Sequence, residues 1–274
     1  MKIRIPSLSV SAIVVAYCTY SLSAQPLTPD LRAVHDGKGW KGNIGATKLI
    51  EKDGAPAIEF TGLLWLDGFE FSAGTIEFDA KGKSAPPQSS FVGVAFRVVD
   101  SATYDAVYFR PFNFRAADPE RKSHAVQYHS EPQWRWDRLR KEKPGQFEQP
   151  IEPAPDGDTW FHAKVVVENR QVKVFVNGAS EPSLVVNELS DRTGGSVGLW
   201  CGGYGVIANL KITQAKAQKA QLEGDLVDRS PHKSLSPSTT ATLHCVGFVS
   251  WAKQLLPRSR SANAVASRLV RSGT

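Results

Sequence analysis

Cysteine is scarce in this chain: Cys18, Cys201 and Cys245 among 274 residues. If the N-terminal segment is removed, two remain, at opposite ends of what read as a domain and a tail, so no disulfide framework is available and the core must stand on apolar burial. Histidines number six, and His124 and His129 are five apart, so they cannot share a strand face as a metal pair without help from a loop. A Gly-rich phosphate loop, a Cys-x-x-Cys pair and a serine elbow are all missing, which argues against nucleotide chemistry. No stretch beyond residue 24 is long and apolar enough to suggest a membrane helix.

Residues 1–24 read as a secretory signal. Lys2 and Arg4 precede a largely apolar run from Ile5 to Leu22, and Ser21-Leu22-Ser23-Ala24 offers a cleavage site. The alternative is a retained anchor; Cys18, after Val15-Ala16-Tyr17, sits in a poor context for lipid attachment. The expectation is an exported monomer, periplasmic or extracellular, that meets the membrane only during export.

The net charge of +6 arises outside the middle of the chain. Lys2 and Arg4 contribute at one end, and nine Lys/Arg stand against three Asp/Glu after Ile212. Between Gln25 and Ile212 there are 22 basic and 24 acidic residues, so no basic folded surface for nucleic acid is expected.

What is abundant is period-two alternation. Strands are expected at 57–60, 63–66, 75–78, 91–99, 104–110, 125–129, 161–168, 171–176, 184–187, 196–201 and 206–212, separated by clusters of Gly, Pro, Asn and Asp. A short lead-in helix or loop and an irregular start are expected before them. This pattern predicts an all-β, two-sheet antiparallel jelly-roll sandwich over residues 25–212, followed by a low-complexity, largely disordered tail over 213–274. Ser130–Pro155 breaks the alternation and carries Trp134, Trp136 and several arginines; it reads as a packed functional loop.

Alternation sorts side chains by face. Val92, Val94, Phe96 and Val98 should point inward with Val107 and Phe109, leaving Arg97, Tyr108 and Arg110 together outside, above a floor of Gly93, Ala95 and Ala106. Such a groove suits carbohydrate, whose rings stack on aromatics while hydroxyls meet polar side chains. Candidate binding residues are Arg97, Tyr108, Arg110, Asn113, Tyr128 (or its neighbour Gln127), His129, Trp134 and Trp136. The plainer alternative is a solvated sheet face. Possible catalytic acids are Glu77 and Asp79, which share one strand face, and Glu131, reaching in from the long loop; spacing alone assigns none of them. An edge strand kept soluble by charge explains Glu77 and Asp79 equally well. No cofactor is expected, and a structural Ca²⁺ near Asp100 would lack any loop motif.

The closing segment Gly195–Ile212, GSVGLWCGGYGVIANLKI, resembles the last strand pair of concanavalin A/laminin-G-like jelly rolls. Within that group it is most similar to the 3-keto-disaccharide hydrolase-type domain of secreted bacterial proteins. Residues 69–80 (FEFSAGTIEFDA) and 108–115 (YFRPFNFR) resemble its early and middle strands. The resemblance spans roughly residues 38–212 and implies a sandwich with a carbohydrate-facing surface, with roles from keto-sugar or glycoside hydrolysis to plain binding. The related family-16 glucanases carry a Glu-x-Asp-x-x-Glu strand, whereas here Glu77-Phe78-Asp79-Ala80-Lys81-Gly82 lacks the final acid. Three functions follow as expectations: a lectin-like carbohydrate binder, a hydrolase at the same groove, and a laminin-G-type structural or adhesion module.

Overall fold

The computed structural model describes residues 25–85 and 89–215. The expected signal sequence, residues 86–88 of one turn cluster, and the tail beyond 215 lie outside the described residues.

Two seven-stranded antiparallel sheets form a jelly-roll sandwich, as expected. The first sheet runs, in spatial order, β1 (Trp40–Gly42), β4 (Gly62–Leu66), β13 (Ser196–Gly203), β6 (Ser90–Asp100), β7 (Thr103–Phe109), β8 (Val126–Glu131) and β9 (Glu148–Gln149). The second runs β12 (Leu184–Asn187), β11 (Gln171–Val176), β10 (Phe161–Glu168), β5 (Gly74–Lys81), β14 (Val206–Gln214), β3 (Ala55–Phe60) and β2 (Thr47–Lys52). Helices are short: α1 (Leu31–His35), α2 (Pro119–Ser123) and α3 (Trp136–Glu142).

Each sheet turns one residue in two toward the other. Ile76, Phe78 and Ala80 on β5, and Phe161, Ala163, Val165 and Val167 on β10, meet Val92, Val94 and Phe96 on β6 and Val107 and Phe109 on β7 in one buried core. Full burial of a Val or Phe contributes about 1.5–3 kcal/mol, so this interdigitated layer supplies most of the driving force. Turn chemistry fixes the hairpins. Asn169 and Arg170 have φ of 50° and 63°, the paired positive values of a two-residue hairpin turn, and Glu168 pairs with Gln171 across it.

Three strands escaped the sequence pattern. β1 is short, β9 has two residues, and β2 is a sheet edge with no buried residue, where only Thr47, Ile50 and Lys52 are partly covered, so apolar alternation is weak. β14 continues to Gln214, two residues past the expected end. The 130–155 segment is less loop-like than its composition suggests, since α3 and β9 order its centre.

One irregularity redirects side chains. Arg97 has φ 50°, and the register of β6 shifts between Ala95 and Val98 against β13 and between Phe96 and Asp100 against β7. The extra residues form a bulge. A side chain at Gly195 would meet the Arg97 carbonyl carbon at 2.6 Å, so the bulge needs glycine opposite it. Beyond it the faces swap: Val98 packs with Ala95, Ala106, Leu63 and Tyr104 on the outer face, not with Val92 and Val94 inside.

Candidate functional site

The outer face of the first sheet carries an aromatic platform. Across β13, β6, β7 and β8, Trp200 is opposite Gly93, Gly93 opposite Tyr108, and Tyr108 opposite Gln127; Ala106 is opposite His129. A Cβ on Gly93 would lie 2.1 Å from the Val107 carbonyl oxygen, so the floor stays bare there. Trp200 leans over it, its ring centroid 4.8 Å from Tyr108 and 5.5 Å from His129, and its indole N–H donates to the Tyr104 hydroxyl at 3.0 Å. Phe91 meets Tyr108 and Phe112 edge-on at 5.7 and 5.5 Å. These offset and edge contacts are the favoured geometries for aromatic pairs.

Above the platform opens a cleft of about 570 Å³, within the range of small-molecule sites. Three short elements wall it. The 3₁₀ turn Pro111–Asn113 brings Phe112 and Asn113, and α2, capped by the Asp118 carboxylate accepting from the Glu120 N–H, brings Arg121. α3 brings Trp136 and Arg140, four residues apart and therefore on one face, with the Arg140 guanidinium 5.3 Å from the Trp136 ring centre. Arg110, His124, His129, Glu131 and Arg135 complete the polar lining.

Beneath the cleft lies an acid that sequence reasoning missed. Glu148, 3% exposed, accepts from Arg140 Nε at 3.2 Å and Nη2 at 2.9 Å, and from Arg110 Nη1 at 3.4 Å. His124 Nδ1 is 2.9 Å from the same carboxylate, outside hydrogen-bond geometry. Arg110 also donates to the His124 carbonyl at 2.8 Å, to the Tyr108 hydroxyl at 2.7 Å and to Gln127 Oε1, while Tyr108 donates to Gln127 Oε1 at 2.7 Å. Burial pushes the Tyr108 phenol up to about 12, so it remains a donor, and burial also lowers the Arg110 guanidinium from its ordinary value. Hydrogen bonding to Glu148 raises that of Arg140.

His129 is different. It is 2% exposed, lines the cleft, and neither ring nitrogen has a hydrogen-bond partner among the described residues. Its Nδ1 lies 3.3 Å from Glu131 Oε1 without good geometry. Both ring nitrogens are sealed from the cleft, so the imidazole contributes ring surface to its wall, and leaving them unmatched costs about 1–3 kcal/mol.

His124 yields a pH prediction. Desolvation, helped by Arg140 and Arg110 against Glu148, holds its pKa below the usual value. The unfolded chain takes up this proton near pH 6.5 and the folded chain only at lower pH, so stability should fall as pH drops below about 6.5. Urea midpoints between pH 7 and 5 should show this slope, and His124→Asn should flatten it; an unchanged slope would remove the assignment.

The sequence-derived candidates separate. Tyr108, Arg110, Asn113, His129, Trp136 and Glu131 line the cleft, Glu131 as the last residue of β8 and not from a swinging loop. Arg97 does not join them. The bulge buries it, 5% exposed, where it donates to Glu188 at 2.7 Å, the Arg192 carbonyl at 2.7 Å and the Ser72 carbonyl at 2.9 Å. Tyr128 faces the core: it is fully buried, and its hydroxyl donates to Asp105 at 2.8 Å and accepts from the Leu189 N–H at 3.1 Å. Its neighbour Gln127 takes the outer face, as the pairing with Tyr108 requires. Trp134 is partly buried against the core, with Arg138 4.2 Å and Lys143 5.4 Å from its ring centre, and is absent from the cleft lining.

Glu77 and Asp79 lie on the other sheet. Their strand β5 is interior, between β10 and β14, which removes both the edge-strand explanation and the groove pairing. Glu77 pairs with Lys211 at 3.2 Å. Asp79 is held by His162 at 2.9 Å, Asn209 at 2.7 Å and Lys52 at 3.2 Å; burial alone would raise its pKa, but those donors together bring it below the ordinary value.

Trp200, Phe91, Phe112, Arg121, Arg135, Arg140 and His124 are cleft residues that were not among the site candidates. Trp200 was accessible from alternation, since Val197, Leu199 and Cys201 point inward and it does not. The arginines of α2 and α3 carry no such signal. Among the described residues no group of three or more His, Cys, Asp or Glu could hold a metal ion, Asp100 included.

No family model and no curated protein matches the chain. Solved structures do. The chain is similar to the carbohydrate binding module CBM66 from Bacillus subtilis (16% identity, TM-score 0.42, 64% of this chain and 96% of that one). It is also similar to a protein of unknown function with a galectin-like fold from Bacillus subtilis (14%, TM-score 0.46, 69% and 94%). A third likeness is to the Bacillus licheniformis beta-glucanase (12%, TM-score 0.40, 73% and 96%). The strand order of the two sheets defines the fold.

Proposed function

We propose that this protein binds carbohydrate in the cleft above the Trp200–Tyr108 platform, without cleaving it. The observation that supports this most is the pairing of an aromatic floor and wall (Trp200, Tyr108, Phe91, Phe112, Trp136) with the polar side chains of Asn113, Arg121 and Arg135 in one cleft. Sugar rings present C–H faces to such surfaces and hydroxyls to such nitrogens. Binding needs only stacking and hydrogen bonds, whereas glycoside hydrolysis ordinarily needs two working carboxylates. Among the described residues Glu131 is the one acid in the lining, and both oxygens of Glu148 are occupied by arginines.

Trp200→Ala and Trp136→Ala should each weaken binding of a responsive oligosaccharide by about tenfold or more, near 1.4 kcal/mol, with the β-sheet circular dichroism unchanged. Calorimetric titration across a glycan panel measures this; undiminished affinity in both variants would discard the cleft as the sugar site.

A hydrolase remains the second reading, including the 3-keto-disaccharide type that the sequence resembles. It is favoured by one feature, the Glu131–His129 approach of 3.3 Å in the cleft wall. Sugar release abolished by Glu131→Gln would promote it over binding.

A further inference from the structure

We propose that the sugar this cleft takes is anionic, carrying a carboxylate or a sulfate ester that Arg121 and Arg135 receive; this rests on the carbohydrate reading above. Among the described residues four guanidiniums line the cleft, from Arg110, Arg121, Arg135 and Arg140, against the single carboxylate of Glu131. Glu148 lies underneath and, of these four, engages Arg110 and Arg140.

Arg121 and Arg135 are left over. Arg121 is exposed and donates only to the Phe112 carbonyl, at a long 3.4 Å; Arg135 is exposed and meets Asp137 at 3.5 Å. The positive excess is local, because residues 25–212 taken together hold more acids than bases.

Hydrogen-bonding inventory points the same way. Arg110 and Arg140 already donate to Glu148, the His124 carbonyl, Tyr108 and Gln127, so the spare donors of the wall are those of Arg121 and Arg135. A neutral sugar hydroxyl both donates and accepts, so a donor-rich wall leaves its proton without a partner. An anionic oxygen only accepts, and the planar arginine fork matches the two or three oxygens of a carboxylate or sulfate.

The test is calorimetric titration of the full chain with three oligosaccharides on one backbone: a uronate, its carboxyl-reduced neutral counterpart, and a sulfate ester of that counterpart. At low salt, the uronate or the sulfate ester should bind about tenfold more tightly than the neutral sugar. Raising salt to about 0.5 M should shrink that gap. The Arg121→Gln/Arg135→Gln double variant should erase the roughly tenfold advantage of the anionic sugar over the neutral one. The better of the two anionic sugars identifies the anion. Equal binding of neutral and anionic sugars overturns the charge assignment and leaves the carbohydrate reading standing. Inorganic sulfate competing as well as the sulfated sugar overturns it too, as an anion site without sugar recognition. Binding of none of the three overturns both.

Discussion

Replacing Glu148 with alanine should cost about 3–5 kcal/mol of stability, seen as a lowered denaturation midpoint. The residue is nearly inaccessible and is the counter-charge for Arg110, itself 5% exposed, and for Arg140. Removing it leaves a guanidinium buried with only carbonyl, hydroxyl and amide partners, and the desolvation cost of that charge then goes unmatched. The site should fail with it. Arg110 organises Tyr108 and Gln127 beneath the platform, and Arg140 stands over Trp136, so sugar affinity in the fraction that stays folded should also fall. A midpoint equivalent to less than 1 kcal/mol below that of the parent would show that Glu148 does not hold these arginines.

Glu188→Ala should be costly for the same reason, by about 3 kcal/mol, and yet leave ligand binding by the folded fraction unchanged. Glu188 has a fully buried carboxyl group 2.7 Å from Arg97 Nη1. Arg97 keeps the Ser72 and Arg192 carbonyls after the substitution, which places the cost at the lower end of the range. The two variants together separate structure from recognition: both destabilise, and only Glu148→Ala should impair the cleft. Reduced sugar binding in the folded Glu188 variant would put Arg97 back among the binding residues.

The contrast between these two arginines marks where sequence reading works. Tyr108 and Arg110 follow the regular alternation of β7 into the 3₁₀ turn, so counting by twos locates them correctly. Arg97 follows the same count until the bulge in β6 turns it under the loop that carries Glu188 and Arg192. A positive φ at an arginine leaves no compositional trace, because the compensating glycine, Gly195, is almost a hundred residues away. Tyr128 was misplaced for a related reason. Its face depends on the β7–β8 register, and a slip of one residue exchanges Tyr128 for Gln127.

Alternation and turn chemistry alone determine the all-β class, most strands and the inward set of valines and phenylalanines, because burial of one sheet face imposes period two on the chain wherever it runs regularly. The tertiary structure alone decides which outward side chains share a cleft. Trp200, Arg121 and Arg140 come from distant segments that only strand order and helix docking bring over Tyr108. Glu148 is recognisable as their counter-charge only once a two-residue strand has placed it beneath them. Periodicity is a local property, whereas electrostatic pairing depends on distance in space.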